Sequence, residues 1–388
     1  MIHKIQKINN LSSKGLDRFP VDSYELGTEI KSPDAIMLRS QKLHDVEFDE
    51  NLKAIGRAGA GVNNIPVDRL TEMGVPVFNA PGANANAVKE LVIGSLFMAE
   101  RNLHKAVAYT ESLTSTGDTL DREVEDGKKR FVGRELPERT LGVIGLGAIG
   151  VEVANAAAGL GMKVIGYDPA VTVNNAWKLS ANVDKANSVD EVLSRSEFIT
   201  FHVPLIDATR NMINTQRLHA MNDGTVVLNF ARAGVVEESA ILEGLDSGKI
   251  KTYICDFPTT ENIAHEKVIA LPHLGASTAE AEENCAVMVA DQLKDFLEHG
   301  NITNSVNFPH IELSRKSEFR LALIHRNVPD MVGQISHQLG SASINILHMI
   351  NESYKDFACT LIDTETEVAE ATLGSIREIS GLLKARQI

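Results

Sequence analysis

Short apolar runs bounded by glycine and proline alternate with helix-period stretches through most of this chain. That alternation predicts parallel strands joined by crossover helices. Residues 36–38, 52–57 and 75–79 read as three strands of an opening β/α region that closes at Pro81-Gly82. From residue 84 the period changes: Val88, Leu91, Val92, Leu96 and Ala99 mark one face of a long helix. Strands are predicted again at 140–144, 163–168, 198–204, 225–230, 252–257 and 267–271, and a second long helix over 278–299. This helix returns the chain to its first domain. The expected fold class is α/β: two doubly wound parallel-sheet domains, the second (85–277) inserted in a discontinuous first (1–84 and 278–303). Residues 304–317 are polar and carry Pro309, so they read as a linker. The remainder, 318–388, follows a βαββαβ order and predicts a small α+β module.

The sharpest local signal is the apolar strand that runs into Gly145-Leu146-Gly147-Ala148-Ile149-Gly150. This is the spacing G-x-G-x-x-G. Gly145 permits the tight turn, Gly147 lets the backbone approach a pyrophosphate, and Gly150 lets the following helix pack against the strand. The free N–H groups of Ala148 and Ile149 and the positive end of the helix dipole face the phosphates. Asp168 ends the next strand, about 20 residues beyond Gly145, where a carboxylate holds a ribose diol. It would also repel a 2′-phosphate, so the expected cofactor is NAD rather than NADP.

Bulk composition narrows the classes. With 388 residues, two or three domains are expected, and a hydrophobic fraction of 43% allows a sizeable core. A net charge of −14 argues against nucleic acid as a partner. Lys128, Lys129 and Arg130 are surrounded by acids and read as a solvated face or a subunit arm. The cysteines Cys255, Cys285 and Cys359 lie far apart without metal spacing, so they are expected as buried thiols and no metal site is expected. No signal-peptide pattern opens the sequence and no run reaches membrane-spanning length, which predicts a cytoplasmic protein.

Arg232, Asp256 and His273 fall just past predicted strand ends, on the rim where open parallel sheets bind ligands. Hydride exchange with a 2-oxo acid needs a cation for the carboxylate, a proton donor for the alkoxide and an acid that favours the protonated donor. Arg232 offers a bidentate fork, His273 titrates near neutrality, and Glu261 lies in the loop between. The loop Ala58-Gly59-Ala60-Gly61-Val62 is another small-residue turn whose N–H groups could cradle an anion.

Three motifs carry a family resemblance: Leu141 to Gly147, Asn229 to Val236 (Asn-Phe-Ala-Arg-Ala-Gly-Val-Val), and Pro272 to Thr278 (Pro-His-Leu-Gly-Ala-Ser-Thr). Nearly the whole chain resembles the D-isomer-specific 2-hydroxyacid dehydrogenases. The resemblance implies an oxidoreductase whose catalytic set is Arg232, Glu261 and His273. Implied cofactor contacts, besides the glycine turn and Asp168, are Ala60, His202, Val203, Pro204, Thr209, Phe230, Ala231, Arg232, Asp256, His273, Gly275 and Ala276. It also implies a flavodoxin-like first domain and closure of a cleft between the two domains during the reaction.

Arg39, Ser40, Arg57 and Asn84 are similar to the phosphate-binding set of the family members that act on 3-phosphoglycerate. The loop with Gly59, Gly61 and Val62 would meet the carboxylate through backbone N–H groups. The expected substrate is thus a phosphorylated 2-hydroxy acid. Alternatives are a reductase of glyoxylate, hydroxypyruvate or 2-oxoglutarate, and a non-enzymatic NAD-sensing scaffold. The C-terminal module resembles an ACT domain, which implies L-serine as an effector at His325, Asn327 and Asn345 and a homodimer or homotetramer. Asp330 stands where the pattern commonly has glycine.

Overall fold

The structure is a computed structural model that describes residues 2–388. It falls into two compact units: residues up to Ala83 together with Ala279–Ile388, and Asn84–Thr278.

In the first unit, β1 (His3–Lys7), β2 (Tyr24–Gly27), β3 (Ala35–Leu38), β4 (Ala54–Arg57) and β5 (Val77–Phe78) form one sheet. Its order is β2-β1-β3-β4-β5 and every pair is parallel, the flavodoxin-like arrangement. Burial on both faces explains why 36–38 shows no polar alternation. The helix Ala279–His299 covers one face through Val289, Leu293, Phe296 and Leu297. Gly56 lets it come close, since a Cβ there would lie 2.4 Å from Val289 Cγ1.

Segment 304–317 is tied down rather than loose, a correction to its reading as a linker. Phe308, Ile311 and Leu313 are buried, and Ile311 exchanges backbone hydrogen bonds with Ile302. The Asn307 side chain accepts the Val77 N–H at 2.9 Å and donates to the Val75 carbonyl at 3.1 Å. The polar residues that made the stretch look like linker are the ones that satisfy the backbone around it.

The unit ends in a four-stranded antiparallel sheet with strands β13 (Phe319–Arg326), β14 (Ile346–Tyr354), β15 (Phe357–Thr364) and β16 (Leu382–Gln387), in the order β14-β15-β13-β16. Period-two alternation along β13 serves two cores. Leu321 and Leu323 pack on the helices Met331–Ser341 and Glu370–Arg377, whereas Ala322 and Ile324 join the cluster around Phe296.

The second unit holds β6 (Thr140–Ile144), β7 (Lys163–Tyr167), β8 (Val183–Lys185), β9 (Phe198–Phe201), β10 (Thr225–Asn229), β11 (Ile250–Cys255) and β12 (Val268–Ala270). They form one parallel sheet in the order β12-β11-β10-β9-β6-β7-β8. The strand direction of winding reverses between β6 and β9, the position at which such sheets bind dinucleotides. Segment 105–139, which shows little period, contains the helices Leu103–Glu111 and Asp118–Gly127. Leu103–Glu111 buries no residue and Asp118–Gly127 buries only Gly127, so the core does not mark them. Among the described residues no helix is long and apolar enough to cross a membrane.

Candidate functional site

Six adjacent strands deliver the expected site residues to one edge of the second unit's sheet. Along the order β12-β11-β10-β9-β6-β7, the residues just past the C-terminal ends are His273, Asp256, Arg232, His202, Gly145 and Asp168.

The glycine turn has the geometry its spacing predicts. Gly145 has φ +92°, and a Cβ there would lie 2.5 Å from the His202 carbonyl oxygen. Gly147 caps the helix Ala148–Gly159, and a Cβ on it would meet nothing within 4 Å. That open side, next to the first N–H groups of the helix, fits an incoming pyrophosphate. A Cβ on Gly150 would lie 1.8 Å from the Gly145 carbonyl oxygen, so only glycine keeps the helix this close to the turn. Asp168 Oδ2 accepts the Leu146 N–H at 2.8 Å and Oδ1 accepts the Ala170 N–H at 2.8 Å. Each oxygen keeps a lone pair for a ribose hydroxyl.

The loop after β9 is bound to itself. Thr209 Oγ1 donates to the Pro204 carbonyl and accepts the Ile206 N–H at 2.9 Å. His202 Nε2 lies 3.0 Å from the buried Thr200 hydroxyl, and burial pushes its pKa down to about 3. His202 is therefore neutral at physiological pH and does not supply the acid proton.

Arg232 is exposed, and one guanidinium N–H donates to the Ala231 carbonyl at 2.6 Å. Asn229, fully buried, positions it: Nδ2 donates to the Arg232 carbonyl at 2.9 Å, and Oδ1 accepts the Ala231 N–H at 3.2 Å. Phe230 and Ala231 are buried beside it. In the sequence Asn229 stands out only as part of a motif, and the tendency of asparagine to bond the backbone two residues on is the signal that singles it out.

His273 stands in the left-handed region at φ +57°. Asp256 fixes the loop behind it, Oδ1 accepting the Leu274 N–H at 2.8 Å and Oδ2 the Gly275 N–H at 2.7 Å. The imidazole meets the Phe257 ring edge-on, with centroids 5.2 Å apart. Glu261 lies on the short helix Thr260–Ile263, capped by Thr259. It is exposed and, among the described residues, makes no hydrogen bond or ion pair. The structure thus brings His273 to Phe257, with Asp256 on the backbone that follows it, and not to Glu261.

In the first unit, Arg57 Nε donates to the Arg39 carbonyl at 2.9 Å, and its Nη1 donates to the Gly61 carbonyl. Asn9 Oδ1 accepts the N–H groups of Ser40 and Gln41, both at 2.9 Å. In the following turn, the Gly59 N–H is used internally, whereas the N–H groups of Ala60, Gly61 and Val62 have no partner among the described residues. Three successive N–H groups without a partner thus lie in the turn whose Gly61 carbonyl the Arg57 guanidinium binds. Arg39 differs from its expected role: it forms an ion pair with Glu282 at 2.7 Å. Asn84 precedes the helix Ala85–Arg101, and its Oδ1 is buried without a partner.

The expected effector set is not assembled as a ligand site. His325 is buried, its Nδ1 2.8 Å from the Arg326 carbonyl and its Nε2 2.8 Å from Thr360 Oγ1. With both ring nitrogens engaged it is a satisfied core histidine. Asn327 Nδ2 reaches the Lys355 carbonyl at 3.4 Å, and the Asn345 carbonyl accepts the Glu365 N–H at 3.0 Å. Asp330 has φ +63°, which explains why glycine suits that position.

Comparison with known proteins identifies the architecture. Residues 95–275 match the model of the D-isomer specific 2-hydroxyacid dehydrogenase, NAD binding domain. The chain is 37% identical over 335 residues to a D-3-phosphoglycerate dehydrogenase of Methanocaldococcus jannaschii, covering 84% of this chain and 61% of that protein. It is 31% identical over 384 residues to the enzyme of that name from Haemophilus influenzae, covering 94% and 89%. It is also 37% identical over 257 residues to a hydroxypyruvate reductase of Thermotoga maritima, covering 64% and 78%. An NAD+-bound 3-phosphoglycerate dehydrogenase structure from Entamoeba histolytica superposes with a TM-score of 0.60 at 25% identity, covering 79% of this chain and 99% of that one. The chain spans less than two thirds of the Methanocaldococcus relative's length.

Proposed function

We propose that this chain oxidises 3-phospho-D-glycerate to 3-phosphooxypyruvate with NAD, the first reaction of phosphorylated L-serine synthesis. The premise is its family: the chain belongs to the D-isomer-specific 2-hydroxyacid dehydrogenases and carries their NAD-binding domain. The observation that carries the reading is the single sheet edge that presents His273, Asp256, Arg232, the glycine turn and Asp168.

NAD, when bound, supplies the acceptor for the C2 hydride. Gly147 and the N–H groups at the start of the helix Ala148–Gly159 hold its pyrophosphate, and Asp168 holds a ribose diol. His273 takes the C2 hydroxyl proton, so alcohol oxidation releases one hydride and one proton. Arg232 grips the substrate carboxylate and stabilises charge on the C2 oxygen. Glu261 is the acid assigned to the imidazolium that forms, a pairing that requires its loop to move onto His273 during turnover. Arg57 and the free N–H groups at 60–62 supply anion-binding chemistry for the phosphorylated acid. We also take the segment with exposed Leu103, Val107, Val124 and Val132 as the contact of a homo-oligomer.

The test is a comparison of kcat/KM for NADH oxidation with 3-phosphooxypyruvate, hydroxypyruvate, glyoxylate and 2-oxoglutarate. A clear preference for the phosphorylated acid supports the reading. A preference for hydroxypyruvate would move the chain to the reductase reading, which the Thermotoga relative favours. NADH binding without turnover of any of them leaves the sensing scaffold.

A further inference from the structure

Within the first unit, a cavity of about 340 Å³ lies between the C-terminal module and the helix Ala279–His299. Its size is at the lower end of small-molecule sites, about 300–1,000 Å³. Phe296 and Ile302 line it from one side, and Ala322 and Leu361 from the other. Alternation along β13 explains that second wall, because the face not used by the helices of the module points here.

Four basic side chains also line the cavity, and they are not alike. Lys53 is paired with Asp34 at 2.6 Å, and Arg377 is paired with Glu370. Lys384 and Arg386, on the same face of β16, have no carboxylate within ion-pair distance among the described residues. Lys384 Nζ donates to the Glu50 carbonyl at 2.5 Å. Arg386 donates to the Phe296 and Leu297 carbonyls at the end of the helix, and its guanidinium lies 4.2 Å from the Phe296 ring centroid. These partners satisfy three N–H donors, and the helix C-terminus and the Phe296 ring favour the Arg386 charge, but neither cation has a carboxylate bonded to it. Burial lowers the Lys384 pKa against the pulls of Glu50 and Asp49, and lowers that of Arg386 to about 10 against a partial pull from Asp34. The Glu50 side chain at the mouth is exposed to water.

An apolar chamber with two cations on one wall that no carboxylate ion-pairs matches an anion with an aliphatic tail. We infer that this cavity binds a small aliphatic carboxylate, its head between Lys384 and Arg386 and its tail against Phe296, Ile302, Ala322 and Leu361. Such a ligand would bridge the module and the parallel-sheet part of the unit, so binding raises stability.

The experiment is calorimetric titration of the full chain with hexanoate, which has no 2-oxo or 2-hydroxy group for the dehydrogenase chemistry. Hexan-1-ol supplies the tail without the charge, and inorganic phosphate the charge without the tail. The expected result is saturable binding of one hexanoate per chain with a raised Tm, and binding of the other two probes weaker by about ten-fold or more. Lys384→Met removes one charge and Ala322→Val fills the chamber. Each should weaken hexanoate by about ten-fold or more while leaving NADH affinity unchanged. No saturable hexanoate binding, equal affinity in both variants, or phosphate binding as tight as hexanoate would each overturn the site. None of these readouts requires turnover, so they stand apart from the proposed reaction.

Discussion

The Asp256 carboxylate accepts the Gly275 N–H at 2.7 Å, and with its other oxygen the Leu274 N–H at 2.8 Å. Both its oxygens bond the backbone that follows His273, so the role expected of Asp256 is to hold that loop. Asp256→Asn turns an N–H group toward one of those donors and frees the loop. Because a misplacement of about 1 Å can cost ~10²-fold in rate, kcat should fall by about that factor. NADH affinity, read by fluorescence titration, should change little. An equal loss in NADH affinity would mean that Asp256 acts through the cofactor.

The roles proposed for His273 and Arg57 are ones that kinetics can separate. His273→Ala should lower kcat by about 10²–10⁴-fold, the range for removing a general acid–base group, with NADH affinity kept. Arg57→Ala should raise KM for the phosphorylated acid with a smaller effect on unphosphorylated 2-oxo acids. Full activity in the His273 variant would reject the acid–base assignment. Glu261→Gln adds a check on the pairing: it should shift the pH profile of kcat/KM if Glu261 meets the imidazolium during turnover.

Much of this was legible along the chain. Buried parallel strands are continuous apolar runs, and the strand–glycine–helix turn with its following acid is local in sequence, so both can be read without coordinates. Contacts between separate loops are different. Nothing near Asp256 announces that it binds the backbone at 274 and 275, and nothing near His325 announces that Thr360 occupies its ring. His325 matches an effector pattern by residue type, whereas its burial and its two ring contacts come from residues distant in sequence or from the backbone. The helices at 103–127 escaped notice because a helix with almost nothing buried needs no apolar period. Segment 304–317 misled for the opposite reason, its polar residues being spent on hydrogen bonds inside the core.

Two glycines of the turn should separate folding from cofactor binding. Gly150→Ala places a Cβ 1.8 Å from the Gly145 carbonyl, so the helix must move off the strand and the protein should lose several degrees of Tm or fail to fold. Gly147→Ala meets nothing within 4 Å and should fold normally. Its added methyl stands where the pyrophosphate approaches, so NADH affinity should fall. Wild-type NADH affinity in Gly147→Ala would show that the cofactor does not approach this side of the turn.

The proposed role of Asp168 in choosing NAD over NADP rests on its charge. Its carboxylate is held by the Leu146 and Ala170 N–H groups, so it cannot turn away from an incoming 2′-phosphate. Asp168→Ala removes hydrogen bonds to a charged acceptor, each worth about 1.5–3 kcal/mol, and NAD affinity should fall by about ten-fold or more. The ratio of kcat/KM for NADP over NAD should rise, and an unchanged ratio would place the ribose elsewhere.

The last prediction concerns stability, through the fully buried pair Arg320 and Asp363. Arg320 Nε donates to Asp363 Oδ1 at 2.6 Å and Nη2 to Oδ2 at 3.1 Å, while Nη1 donates to the His299 and Leu313 carbonyls. The pair thus joins the C-terminal module to the end of the long helix and to the tied-down segment before it. Burial alone would raise the Asp363 pKa; the Arg320 fork and the Lys316 N–H outweigh it and hold the carboxyl below its ordinary value. A folded-state pKa below the unfolded one gives stability that is complete above the unfolded value of ~3.9 and fades as pH falls through the folded value. Asp363→Asn leaves Arg320 charged and uncompensated, so it should cost about 3–5 kcal/mol near neutrality. The Tm gap between wild type and variant, followed by circular dichroism from about pH 7 to about pH 3, should narrow only at the acid end. Replacing both partners, as Arg320→Met with Asp363→Leu, removes the stranded charge and should restore much of the loss. A double variant no more stable than Asp363→Asn would show that the carbonyl bonds of Arg320, rather than its ion pair, hold this junction.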